Sequence, residues 1–477
     1  MKRTLLTVSM LLLMIPALIS QSADPVYIII AWNDLGMHCS NKDFSSLAVL
    51  PPYNNVKAQV IKRGDADNLP EVIATGFKVT YEIPGNTYSV GKTNFWTYVK
   101  ALFGVDLQPN IGLKGAGLTG NMDSKGDFYM VEGIPITPFT DADLVNEDPY
   151  QLGLIKLLDS NNKMLASTQP VIPVSNEISC VGNGCHSGEA SILNHHPKEQ
   201  GFDPTKKPIL CATCHASNAL GMAGKPGINS LSQQIHDKHE EETSDCYKCH
   251  PGQMTRCFRD TMFSKGLTCQ TCHGSLSNIA KSIENGRRPW LDEPKCGDTK
   301  CHGATYAEET GKLFRESRGH GGLFCSACHG SPHALVPTVN NRDNAQNVAL
   351  QGYRGVLSKC IVCHGVMPKN PGPHNIKPSQ VEVISANVPS KGTELNQNYP
   401  NPVKNTTLIP FKIKTSGYVK LEIYNSRGEK VMSIVNQNLL PGEYKVPLDV
   451  SLLTSGVYTY RLITRDNNLS KKLVVTK

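Results

Sequence analysis

Cys211-Ala-Thr-Cys214-His215 sets a pattern that the chain repeats. The same form returns at Cys246-Tyr-Lys-Cys249-His250, Cys269-Gln-Thr-Cys272-His273, Cys325-Ser-Ala-Cys328-His329 and Cys360-Ile-Val-Cys363-His364. Two further segments keep the final Cys-His pair with a wider gap, Cys180-x4-Cys185-His186 and Cys296-x4-Cys301-His302. Together these use fourteen of the 16 cysteines and leave Cys39 and Cys257. At this Cys and His content, chance gives about 0.02 copies of C-x-x-C-H, against five present.

C-x-x-C-H is the attachment signature of c-type haem. Two thiols add across the porphyrin vinyl groups, and the next residue lies under the iron, where an imidazole can bind. The competing readings are zinc ribbons and thioredoxin-like redox pairs, and neither needs a His after every second Cys. On these motifs residues 180–374 resemble a multihaem c-type cytochrome. The resemblance implies seven covalently attached haem c groups with His186, His215, His250, His273, His302, His329 and His364 as proximal ligands. Motif histidines are separated by 29, 35, 23, 29, 27 and 35 residues, too few to bury a sizeable peptide core around each porphyrin. Short helices carrying the motifs, joined by long Gly- and Pro-rich loops, are expected.

Eight histidines lie outside the motifs: His38, His195, His196, His236, His239, His320, His333 and His374. That is close to one per haem, as in bis-His cytochromes, and an all-His set implies low potentials. The adjacent pair His195-His196 is similar to pairs in small tetrahaem cytochromes that serve two different haems. His320 and His333 bracket one motif and are expected to serve a neighbour. Met222, Met254, Met262 and Met367 are read as packing or loop residues rather than ligands. Cys39 and Cys257 either pair in a disulfide, stay free, or supply one unusual ligand.

The flanks differ in character. Met1-Lys2-Arg3, the apolar stretch Leu5–Ile19 and the small residues Ser20, Ser22 and Ala23 read as a signal peptide over 1–23. Residues 24–179 read as a β-rich domain: a continuous apolar run at Val26–Ala31, alternation at Val56–Lys62 and Phe77–Glu82, and a hairpin of Leu154–Leu158 with Met164–Ala166. One helix is expected at Phe95–Phe103, capped by Asn94 and stopped by Gly104. Within Trp32-Asn-Asp-Leu-Gly-Met-His38-Cys39, His38 either sits in a buried turn, completes a haem, or lines a substrate pocket.

After a linker at 375–394, residues 395–477 carry ordered blocks: Leu395-Asn-Gln-Asn-Tyr-Pro-Asn-Pro402, Thr407–Phe411, Val419–Asn425, Pro441–Tyr444, Ser455–Tyr460 and Lys471–Val475. They resemble the C-terminal sorting domain of type IX secretion, which implies a seven-strand immunoglobulin-like sandwich and passage through the outer membrane by that machinery. The expected fold class is therefore multidomain: a β-rich N-terminal domain, a multihaem region of short helices and long loops, and a C-terminal β-sandwich.

Composition excludes several classes. Hydrophobic residues are 39%, which rules out a disordered or collagen-like chain, and one terminal apolar run rules out a multi-span membrane protein. A net charge of +7 is too mild to indicate nucleic acid, and haem propionates would offset it. The expected function is an exported electron carrier at or outside the cell surface. Its partners would be redox proteins or extracellular acceptors, with self-assembly into a filament as a variant. The alternatives are a multihaem oxidoreductase with one open haem acting on a small nitrogen or sulfur compound, and a haem-bearing binding module. No C-x-x-C-K segment is present to mark an enzyme's active haem.

Overall fold

The computed structural model describes residues 26–476 apart from 179, 182–183, 197–201, 253, 353, 376–381, 387–391, 405 and 451–452. The signal peptide expected over 1–23 lies outside the described residues.

The apolar run near the start forms the strand Tyr27–Asn33, antiparallel to Val56–Lys62. Val56–Lys62 also pairs with Glu71–Ile73 and Tyr129–Val131, and the latter with Asp123–Ser124. A second sheet orders Met164–Thr168, Leu154–Leu158, Lys78–Glu82 and Thr119–Asn121, all antiparallel. Ile29, Ala58, Val60, Val79, Tyr81, Ile155 and Leu157 fill the space between the sheets. The expected hairpin is present, and its turn is held by the Asp159 carboxylate, which accepts from the amides of Asn161 and Lys163 at 2.9 Å each.

Tyr27–Asn33 reads as continuous apolar sequence because both of its faces are covered. Ile29 and Ala31 face the sandwich, while Ile28, Ile30 and Trp32 pack with Ile61, Phe324 and Ala327 of the cysteine-rich segment. Burial of each large side chain there stabilises by roughly 1.5–3 kcal/mol. A second shared cluster joins Phe44, Phe95, Val99 and Leu102 to Leu210 and Ala212. Strand Leu47–Ala48 runs parallel to Ile209–Leu210, so a sheet also crosses from one segment to the other. Gly36 lies at φ +77°, and a Cβ on it would stand 1.9 Å from the Pro332 carbonyl oxygen. Only glycine permits that approach.

The helix Phe95–Phe103 forms as expected and ends at Gly104 in the left-handed conformation. Asn94 does not cap it. Its side chain accepts from the Phe44 amide at 3.0 Å and donates to Asp43 at 2.7 Å, which ties the neighbouring loop instead.

Between 180 and 374 the described residues form short helices and single turns joined by irregular chain, with the short strand Ile209–Leu210 among them. Aliphatic core residues are scattered here, as at Leu193, Ile283 and Val336. The C-terminal part is a sandwich of two four-stranded sheets. One orders Glu382–Ala386, Gly442–Asp449, Thr406–Ile413 and Glu394–Leu395. The other orders Lys430–Leu439, Gly417–Tyr424, Gly456–Ile463 and Asn468–Val475. Glu382–Ala386 lies inside the stretch read as linker, yet it pairs with Gly442–Asp449. The Leu395–Pro402 block closes the end of the sandwich. The Tyr460 hydroxyl donates to the Asn396 carbonyl and accepts from the Asn398 amide, both at 2.8 Å.

Candidate metal centres

Each C-x-x-C-H segment folds as one helical turn. Cys269–His273 and Cys325–His329 are helices, and Cys211–Thr213 and Cys246–Lys248 open as tighter turns. The His amide donates to the carbonyl of the first Cys at 3.0 Å for His215 and 2.9 Å for His250 and His364. That closure brings both thiols and the imidazole to one side of the turn. The wider segment closes the same way, with the His302 amide on the Cys296 carbonyl at 3.2 Å. The extra residues are taken up in a loop in which the Cys301 amide donates to Asp298 at 2.9 Å.

The motif histidines meet the others in pairs. Ring centroids are 6.2 Å apart for His215 and His196, 6.2 Å for His250 and His236, and 6.0 Å for His273 and His333. They are 6.1 Å apart for His329 and His374, and 5.8 Å for His364 and His320. His186 has two such neighbours, His239 at 6.1 Å and His195 at 6.4 Å. Direct imidazole stacking needs no such spacing. A metal ion held in line between two imidazole nitrogens at about 2 Å each puts the ring centroids about 6.2 Å apart, and a tetrahedral angle would bring them to about 5 Å. His195 and His196 thus face different motif histidines, and His320 and His333 each face a motif other than the one they bracket.

The tautomers suit ligation. Nδ1 lies on a backbone carbonyl in His195 (Ser191), His196 (Ile192), His236 (Ser232), His239 (Ile235), His215 (Asn229) and His374 (Thr305), at 2.5–3.3 Å. An Nδ1–H donated to a carbonyl leaves the Nε2 lone pair free for a metal. Four of these carbonyls lie four residues earlier on the same helix, so the helix itself orients the ring. The Leu35 backbone lies beside the His333 imidazole, so the Trp32–Cys39 loop adjoins this pair. Burial pushes His250, His329 and His333 down to about 4, with neighbouring imidazoles adding to the effect. These imidazoles are neutral at pH 7. His333 and His374 hold φ of +63° and +55°. Such a backbone costs on the order of 1 kcal/mol each and concentrates at functional sites.

The cysteines differ from redox-active pairs. Burial pushes Cys211, Cys296 and Cys328 up to about 12 and Cys269 and Cys363 up to about 11, so they are thiols rather than thiolates. Among the described residues no motif cysteine is in a disulfide, and no group of three or more His, Cys, Asp or Glu side chains is placed to hold a metal ion. Thiols of different motifs lie close enough to raise one another. Cys211 and Cys249 both neighbour Cys180, Cys269 neighbours Cys246, Cys272 neighbours Cys301, Cys296 neighbours Cys325, and Cys328 neighbours Cys363. The motifs therefore form one contiguous series.

His38 is not brought to any motif histidine. Its Nε2 bonds Asp34 Oδ1 at 2.7 Å in a buried turn, the first of the three positions considered for it. Burial works against the Asp34 carboxylate, but His38, Asn55 and Lys57 outweigh it and hold the group below the ordinary range. Cys39 and Cys257 are neighbours and both free; burial raises each thiol. Sequence reasoning did not find Thr305, Tyr306 or Arg259. Arg259 lies beside His333 and grips Asp343 through Nε and Nη2 at 2.6 and 2.8 Å.

Residues 397–476 match the secretion system C-terminal sorting domain family. That tail engages the type IX secretion machinery, and the chain is exported across the outer membrane to the cell surface or outside. No curated protein matches the chain. Among the described residues no helix is long and apolar enough to cross a membrane.

Proposed function

We propose that this chain is an exported multihaem c-type cytochrome that carries electrons at the cell surface or outside the cell. The observation that carries the reading is the pairing of six motif histidines with a second imidazole at ring separations of 5.8–6.4 Å. The residues fit haem in three respects: two thiols and an imidazole share each turn, imidazole rings face each other at 5.8–6.4 Å, and few aliphatic side chains fill the region between.

When bound, haem supplies one-electron iron chemistry at potentials set by its axial ligands. The protein's part is attachment and orientation. Cys180/Cys185, Cys211/Cys214, Cys246/Cys249, Cys269/Cys272, Cys296/Cys301, Cys325/Cys328 and Cys360/Cys363 would hold the groups. His196, His236, His333, His374, His320 and one of His195 or His239 would oppose the motif histidines. The neighbouring thiols support a series that runs from the 211 motif to the 180, 246, 269, 296, 325 and 360 motifs. The ends of that series are the natural points of exchange with redox partners or extracellular acceptors. A pyridine haemochrome assay with intact mass on the exported protein is the test. Seven covalent haems are expected. A mature chain without haem, or with zinc at the motifs, refutes the reading.

A further inference from the structure

All 15 histidines lie among the described residues. Six motif histidines face an imidazole, and His302 does not. Its ring neighbour is the Tyr306 phenol, with centroids 6.3 Å apart and planes at 66°. The other imidazoles are engaged: His38 is locked on Asp34, and His195 and His239 both lie against His186.

The turn Ala304–Tyr306 is committed to the next centre. Tyr306 packs on His374 at 4.9 Å, and the Thr305 carbonyl takes His374 Nδ1 at 3.3 Å. This turn positions the imidazole that faces His329. The motif itself is pinned from the other side, where Glu308 accepts from the amides of Cys296 and Gly297 at 2.5 and 3.4 Å. Neither side of the loop is free to bring a second nitrogen to His302. The site is also open: Tyr306 is 45% exposed, and His302 is exposed.

We propose that the His302 centre is the one at which the chain supplies a single axial nitrogen. The second position, beside Tyr306, is left for a small π-acceptor ligand of the diatomic class. This rests on the haem reading above. It places a ligand-responsive centre fifth in the series of seven, between the 269 and 325 motifs, rather than at an end.

The test is a carbon monoxide titration of the dithionite-reduced, full-length holoprotein, with haem counted in the same sample as the pyridine haemochrome. Seven haems and one carbon monoxide per chain are expected. The variant Cys296→Ser/Cys301→Ser is expected to carry six haems and bind none. The variant Cys360→Ser/Cys363→Ser is expected to carry six and still bind one. Seven haems with no carbon monoxide bound, more than one bound, or binding that survives in the six-haem Cys296→Ser/Cys301→Ser protein overturns the inference. A chain without haem overturns the underlying reading instead, so the two failures are distinct. Where a variant does not mature, the wild-type titration still overturns the inference if none or more than one carbon monoxide binds.

Discussion

Replacing Arg259 by Met should loosen the joint between the β-rich segment and the cysteine-rich segment. Arg259 is 1% exposed and spends its donors on both sides of that joint. Nε and Nη2 clasp Asp343 at 2.6 and 2.8 Å, Nη1 reaches the Gly36 and Cys257 carbonyls at 2.8 and 3.1 Å, and the guanidinium lies 4.8 Å from the Tyr150 ring centre. Arg259→Met leaves Asp343 charged, buried and holding one remaining hydroxyl donor, Thr338 at 2.9 Å. Removing one partner of such a pair costs about 3–5 kcal/mol, whereas replacing both by apolar groups is often neutral. Arg259→Met/Asp343→Leu should therefore recover most of the loss, with a coupling of about 2–3 kcal/mol. Denaturant unfolding followed by tryptophan emission reads this joint and not the tail, because Trp32, Trp96 and Trp290 all precede residue 375. A cost below about 1 kcal/mol for Arg259→Met, or strict additivity in the double variant, refutes the reasoning.

Further outcomes follow from the same contacts. Gly36→Ala should cost about 2 kcal/mol or more, since it combines a left-handed φ with a clash against Pro332 O; the same unfolding assay checks it. His374→Met should raise the midpoint potential of one haem of the seven, because thioether ligation raises the potential relative to bis-His; spectroelectrochemistry reads the shifted component. Asp34 is depressed in the folded state, so its contribution to stability is complete above the ordinary carboxylate pKa. That contribution is lost as the pH falls through the lower folded value. Asp34→Asn should flatten the acid side of the stability profile, and unchanged steepness would count against the assignment.

Much of the architecture was legible because period and punctuation agreed. The strand Val56–Lys62, the hairpin around Asp159–Asn162 and the helix ended by Gly104 follow local signals that tertiary packing did not override. The role of Asn94 was misread because a cap residue and a loop tie use the same amide, and only the fold brings Phe44 and Asp43 to it. The helix Leu231–His239 left no trace in hydrophobic pattern, since its apolar stripe is only Leu231 and Ile235; Ser230, whose Oγ accepts from Gln233 at 3.2 Å, starts it. At the site, attachment residues announce themselves in sequence because one turn carries them all. Opposing histidines do not, since they come from distant turns and are chosen by packing. The strand Glu382–Ala386 was hidden within a stretch whose composition reads as linker, and it gains meaning only beside its partner.

The helix Leu231–His239 turns His236 toward His250 and His239 toward His186, three residues apart on one face. Each helical residue rotates by about 100°, so one deleted residue between the two would put the rings on opposite faces, and one added residue would turn the second ring by about 100° away from its present partner. The exposed Asp237 and Lys238 of this helix can be exchanged, but its residue count cannot be shortened. In a lineage carrying this chain, the helix should drift by substitution and resist insertion or deletion. Because both rings ride on one rigid element, neither centre can be re-aimed without disturbing the other.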